Sequence, residues 1–393
     1  MRVTEERAGQ VSPTATRQPA ARRPGWLSRH GLLADLDHPG QVFASITPNW
    51  FAAVMGTGIV AVAAATLPEQ FSGLQAMATV VWGLAAVLLV ALIFATAMHW
   101  RQYRAAARGH AGDPVIGHFY GAPPMAILTV GTGTLLLGAD VIGLRAAIDV
   151  DWACWLAGTA TGLAAAVLVP WLQWRRGQLR PQQAFGGWLM PIVPPMVSAS
   201  AGALLIPHAG AARLTLLVAC YAMFGISLVA AAIVIGLIWR RLVRHGIGPA
   251  RLVPTFWIIL GPLGQSVTAA NLLGRNAGLA VPAPDAAALH AFGLWYGFPV
   301  EALALTWAAV ATAITVRTAR RGLPFSLTWW SFTFPVGTCV TGMTGLALAT
   351  GSAALRVAAA IGYVALVLAW LIVAARTTRA SARGWLFLPP APA

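Results

Sequence analysis

Along this chain, long runs without a charged side chain alternate with short breaks that carry arginine. Residues 38–68, 70–100, 114–139, 152–174, 181–212, 214–239, 252–274, 322–355 and 357–375 hold no Asp, Glu, Lys or Arg, and 286–316 holds only Glu301. A membrane-spanning helix needs about 20 apolar residues, so each window accommodates one span and none accommodates two with a loop between. The pattern predicts helices at roughly 47–66, 74–98, 117–140, 152–174, 187–207, 214–239, 254–275, 288–316, 324–347 and 355–375. The predicted fold class is all-α integral membrane, with ten transmembrane helices as five helical hairpins around a central pore. Residues 1–43, rich in Pro, Arg and Ala, read as a disordered cytoplasmic arm with an amphipathic lead-in from Trp26 to Phe43. This arm lacks the apolar stretch of a signal peptide. Residues 44–376 form the transmembrane domain and 377–393 a cytoplasmic tail.

Charge placement fixes the expected orientation. All 26 basic residues are arginine. The amino-terminal arm, the even-numbered loops and the tail hold 22 of them, against Arg145, Arg213, Arg275 and Arg356 in the odd loops. By the positive-inside rule both termini face the cytoplasm of a cell (inner) membrane, which also requires an even number of spans. Composition agrees: 9% charged residues is far below the roughly 25% of a soluble domain. The net charge of +15 comes from these clusters and not from a basic helix or an aromatic-interleaved patch, so nucleic acid is excluded as a partner. The bilayer itself is the implied partner.

The hairpins start near residues 47, 116, 187, 255 and 324, in steps of 69, 71, 68 and 69, which predicts five repeats about an axis along the membrane normal. Proline and hydroxyl side chains favour the odd spans. Pro48, Pro123, Pro124, Pro191, Pro194, Pro195, Pro262 and Pro335 lie there, whereas the even spans hold only Pro170 and Pro299. Proline frees a backbone carbonyl that must find a partner away from lipid, so the odd helices are expected inside, around a lumen. Helix packing through small residues is the alternative reading of the same bias.

Four stretches carry a resemblance: Pro48-Asn49-Trp50-Phe51 with Met55-Gly56-Thr57-Gly58; Trp188-Leu189-Met190-Pro191-Ile192-Val193-Pro194-Pro195; Gly261-Pro262-Leu263-Gly264-Gln265-Ser266; and Trp329-Trp330-Ser331-Phe332-Thr333-Phe334-Pro335-Val336-Gly337-Thr338. Over about residues 44–375 the chain resembles the tellurite-resistance/dicarboxylate transporter family. That family includes plant slow anion channels, fungal sulfite exporters and yeast malate permease. The resemblance implies five hairpins around a pore, a homotrimer with one pore per subunit, and a ninth-helix phenylalanine plugging the pore. The matching position is Phe334, with Phe332 as the next candidate. It also implies transport of a small inorganic or organic anion, sulfite-like or a C4-dicarboxylate such as malate.

The expected pore lining comprises Gly56, Thr57, Thr132, Pro195, Ser198, Gln265, Ser266 and Thr338, with no arginine inside the lumen. Anion selection would then rest on hydroxyls, freed backbone N–H groups and positive potential at the cytoplasmic rim. Glu301 has two readings: proton coupling, with His290 as a possible partner, or a structural acid, either protonated or tied to hydroxyls of a neighbouring helix. Asp140, at the outer end of the third span, is expected to pair helices. Cys154, Cys220 and Cys339 are scattered, and no histidine pair at ligand spacing within the spans, Walker motif or spaced Cys/His set occurs, so no metal, cofactor or ATP chemistry is implied. An enzyme or quinone-linked redox subunit, the rival class, would need such clusters within the spans.

Overall fold

The computed structural model describes residues 32–388; most of the predicted arm and the last five residues of the predicted tail lie outside them. The helices in chain order are α1 (Phe51–Thr66), α2 (Ser72–Gln102), the short α3 (Arg104–Gly112) and α4 (Ala122–Gly133). A π-helical turn at Thr134–Gly138 and α5 (Ala139–Ile142) continue α4. Then come α6 (Leu144–Arg175), α7 (Pro194–Leu205), α8 (Arg213–His245), α9 (Leu260–Asn276), α10 (Ala283–Ala319), α11 (Phe334–Thr350) and α12 (Ala353–Arg383). No strand occurs among the described residues. The chain is an all-α, multi-pass membrane protein.

Five of these helices close a ring: α1 packs on α4, α4 on α7, α7 on α9, α9 on α11, and α11 back on α1. The long helices α2, α6, α8, α10 and α12 pack outside, each against the ring helix of its own hairpin. Burial separates the two sets. The spans containing α1, α4, α9 and α11 bury 56–83% of their most apolar stretch, whereas the outer spans bury 22–28%. The outer surface is apolar because lipid, not protein, covers it.

Proline explains how each ring helix begins. On the arginine-rich side every one starts as a 3₁₀ segment, at Pro48–Trp50, Ile116–Gly121, Gly186–Leu189, Ala250–Ile259 and Leu327–Phe332. Regular α-helix follows, with proline in its first turn at Pro123, Pro124, Pro194, Pro195, Pro262 and Pro335. There the missing N–H costs nothing, because first-turn donors have no helical acceptor. The sequence predicts kinks; the structure shows breaks. Carbonyls near the breaks are satisfied by the outer layer. Ser227 Oγ donates to the Ile192 carbonyl at 2.6 Å, and Trp307 Nε1 to the Phe256 carbonyl at 2.9 Å.

The fifth predicted span departs furthest from expectation. Pro191, Pro194 and Pro195 fall within five residues, and no continuous helix tolerates three missing donors there. The segment is therefore a 3₁₀ turn at Gly186–Leu189, a non-helical turn at 190–193, and the twelve-residue α7. Nine helices among the described residues are long and apolar enough to cross a membrane, and this broken segment is the tenth element of the expected set. Eleven of the twelve α7 residues are buried.

The two ends of the described chain meet. Leu33 N–H donates to the Ala382 carbonyl at 2.7 Å and Asp35 N–H to the Arg383 carbonyl at 2.9 Å. Phe387 stacks on Trp50, with centroids 5.2 Å apart. The last helix runs through 376 to Arg383 without a break at the expected start of the tail.

Candidate functional site: the lumen

Each ring helix presents one stripe of side chains to a central cavity of about 280 Å³. The stripes are Ile59, Val62 and Thr66 on α1; Thr129, Thr132 and Leu136 on α4 and its π-turn; and Val197, Ser200 and Leu204 on α7. Gln265, Thr268, Leu272 and Arg275 on α9, and Phe334, Thr341, Thr344 and Leu348 on α11, complete the wall. Close packing of α9 on α11 depends on Gly264. A Cβ there would collide with the backbone of Thr338 and Cys339, so a side chain would prise these two lumen helices apart.

At one end the cavity stops at Phe334. Beyond it lies a second void of only about 20 Å³, lined by Met55, Phe119, Met190, Trp330 and Phe334 among others. Phe334 borders both voids, is 3% exposed, and sits at the first position of α11, directly before Pro335. The smaller void is large enough for about one water molecule. Phe332 points elsewhere: its ring meets Trp257 edge-on at 5.5 Å and Trp329 at 5.7 Å.

The other predicted lining residues divide. Thr132 and Gln265 line the cavity. Gly56 instead faces Trp330 and Thr333, where a Cβ would clash. Thr57 turns outward and accepts a hydrogen bond from Trp370 Nε1 at 3.1 Å. Ser266 accepts one from the Tyr296 hydroxyl at 2.8 Å, toward α10. Thr338 donates to the Pro335 carbonyl at 2.7 Å and to Leu260 at 3.3 Å, within the α9–α11 contact. Pro195 and Ser198 are buried in α7 on faces that do not border the cavity.

Polar groups available to a solute are few. Gln265 Nε2 donates one hydrogen to Ser200 Oγ and keeps its second. Thr268 and Thr341 bond each other at 2.7 Å. The buried Thr344 hydroxyl has no partner among the described residues. The expectation of a lumen without arginine does not hold: Arg275 lines the cavity and a neighbouring opening of about 410 Å³ that it shares with Asn271 and His290. Arg275 makes no ion pair among the described residues, in contrast to Arg356, which lies 3.7 Å from Glu69. Arg275 extends the Gln265–Thr268–Leu272 stripe, and helical phase alone could have placed it there.

Glu301 is 3% exposed, and neither carboxyl oxygen has a hydrogen-bond partner among the described residues. The expected tie to neighbouring hydroxyls is absent. Its Oε2 abuts Gly342 of α11, one residue from the lumen-facing Thr341. His290 is eleven residues back along α10, about 16 Å at the helical rise, so the two do not form a pair. Asp151, unremarked in the sequence because it borders a window, is equally buried and unpaired on α6. Asp140 accepts a hydrogen bond from Gln75 of α2 at 3.3 Å. No cluster of His, Cys, Asp and Glu that could hold a metal occurs among the described residues.

A ring of broken, proline-started helices around an apolar lumen with a few hydroxyls and one cation defines a membrane transport protein. The SLAC1 family, described as voltage-dependent anion channel, matches residues 45–378, and the chain belongs to it. A sulfite efflux pump of Trichophyton rubrum is 26% identical over 349 residues, covering 86% of this chain and 92% of the pump. The Arthroderma otae pump of the same name is 25% identical with the same coverage. An uncharacterized transporter of Methanocaldococcus jannaschii is 25% identical over 306 residues, covering 76% of this chain and 83% of its own.

Proposed function

We propose that this protein passes small oxyanions of the sulfite class across the cell membrane through the lumen, with Phe334 as its gate. The observation that carries this reading is the position of Phe334: it alone borders both the large cavity and the one-water void beyond it. Family membership and the sulfite efflux pumps among its relatives support the substrate class. The wall favours a small anion over a C4-dicarboxylate, because one cation, Arg275, borders the cavity and a second carboxylate would find no counter-charge. Hydroxyls and Gln265 supply neutral donors, which suit an anion that sheds water readily.

Both termini are assigned to the cytoplasm, with the broken α7 segment as a crossing. The contact between Leu33 and Ala382 supports this, because ends that meet on one face require an even number of crossings. The expected threefold assembly, one lumen per subunit, is carried over as part of the proposal, with the resemblance to the family as its one support. Proton coupling through Glu301 is a second reading, favoured by an unpaired carboxyl one helix behind the lumen wall.

Anion flux into proteoliposomes tests both readings. Sulfite should lead malate, nitrate and chloride, and flux at a fixed anion gradient should not respond to a pH gradient. Malate in the lead would overturn the substrate class. A pH-gradient response that disappears in Glu301→Gln would replace the passive pathway with a coupled carrier.

A further inference from the structure

The arginine-rich face holds a second cavity, about 240 Å³, remote from the lumen and lined by Pro181, Gln182, Arg240, Arg241, Arg244 and His245. Three guanidinium groups converge there and none has a carboxylate partner among the described residues. Arg241 is the fixed member. Its Nη1 donates to the Ile247 carbonyl at 3.3 Å, while its buried Nε has no partner. Uncompensated cations gathered around a hollow are a site for an anion, and guanidinium suits phosphate oxygens above all.

The surroundings say where the phosphate comes from. On α8 the exposed residues Ile226, Val229 and Ile233 form a lipid-facing stripe, and the same helical phase leads on to Arg240 and Arg244. Arg213, at the other end of α8, is 27 residues from Arg240, or about 40 Å along the axis. That span matches the roughly 40–45 Å between headgroup layers. The pocket therefore lies at headgroup depth with an acyl-chain surface running directly into it.

We propose that this pocket binds the phosphate of an anionic membrane lipid in the leaflet on the arginine-rich side, with the lipid's acyl chains along the Ile226–Val229–Ile233 stripe. A free phosphate would satisfy the same arginines but gain nothing from the stripe. The site needs no part of the gate assignment, and its failure would leave that assignment untouched.

The test uses full-length protein purified in detergent and measures lipid retention by native mass spectrometry together with thermal unfolding. The additives are phosphatidylglycerol, phosphatidylcholine or 10 mM inorganic phosphate. Phosphatidylglycerol should be retained and should raise the unfolding temperature, with phosphatidylcholine and inorganic phosphate doing neither. Arg240→Gln with Arg244→Gln should weaken phosphatidylglycerol retention about 10- to 30-fold, whereas Arg101→Gln with Arg104→Gln, on the same face, should not. Should the double variant fail to fold, the exposed Arg244→Gln alone carries the test, with a smaller loss of about fivefold. Equal retention by wild type and Arg240/Arg244 variants, or an equal loss in the Arg101/Arg104 control, would overturn the site. Stabilisation by inorganic phosphate as strong as by phosphatidylglycerol would overturn its assignment to lipid.

Discussion

Phe334→Ala should open the pathway. In the structure the ring is buried and lies between the two voids; as the proposed gate it would separate them. For the wild-type protein to conduct, that ring must leave its buried place. Exposing a buried phenylalanine costs about 1.5–3 kcal/mol, and this cost enters the rate as roughly a 10- to 150-fold penalty. Removing the ring removes the penalty, so steady-state anion flux per protein should rise by about that factor. The substitution also costs stability, about 3 kcal/mol at the low end for Phe→Ala, because the ring already borders empty space on two sides. Flux in proteoliposomes, normalised to folded protein by size-exclusion recovery, is the assay. Phe334→Leu, which keeps most of the plug, should fall between the two. Phe332→Ala serves as the control, since its ring packs on Trp257 and Trp329 and not on the lumen. Folded Phe334→Ala protein with wild-type flux, or an equal rise in Phe332→Ala, would refute the gate.

Two further outcomes follow from charges near the two faces. Arg275→Gln should lower flux into the cavity about threefold to fivefold at low salt, the effect of one unscreened charge worth about 1 kcal/mol. The loss should shrink at 1 M salt, where the screening length falls to about 3 Å, and Arg275→Lys should retain most of the flux; a salt-independent loss would mean that Arg275 acts through packing. On the other face, His110 of α3 stacks on His99 of α2 at 5.1 Å. Burial first, and then the neighbouring His99, hold its imidazole below the ordinary 6.5, with Asp113 acting in the opposite direction. With the folded value depressed, the unfolded state binds more protons on acidification, so the α3–α2 contact at His110 is at full strength above about pH 6.5 and loses stability as pH falls below it. Hydrogen exchange in α3, corrected for intrinsic rates, should accelerate between pH 7.5 and 5.5 in wild type and not in His110→Gln; the same acceleration in both would remove His110 as the cause.

Much of the architecture was legible because lipid imposes a simple rule. A segment must be apolar to cross, so nine charge-free windows and one broken only by Glu301 mark the crossing candidates, and the arginines between them mark a face. Proline and hydroxyl bias separated ring from shell because broken backbone can exist only where protein shields it from lipid, and α1, α4, α7, α9 and α11 are the ring. The break at 190–193 was less legible. A window of apolar residues records only that lipid would accept the segment, and whether the backbone inside it is continuous depends on local donor counts around Pro191, Pro194 and Pro195.

The lining was legible in kind but not in direction. Polarity predicts that hydroxyl groups face the lumen, yet a threonine inside a helix can satisfy itself on a carbonyl three or four residues back. Thr338 does this on Pro335, and Thr57 is taken by Trp370. Polarity therefore carries little information about which way a buried hydroxyl faces. Phase carries more. On α9 the lumen residues 265, 268, 272 and 275, and on α11 residues 334, 341, 344 and 348, follow single helical stripes. Once Gln265 and Phe334 are taken as anchors, the 3.6-residue period reaches Arg275, Thr341 and Thr344, and it rejects Ser266 as belonging to an adjacent face. Period applied from an anchor also separates Phe334 from Phe332 without the structure. What no period supplies is the height of each stripe along the pore axis, and the proposed gate rests on that height: α11 follows the 3₁₀ segment Leu327–Phe332, and its first residue, Phe334, lies between the two voids.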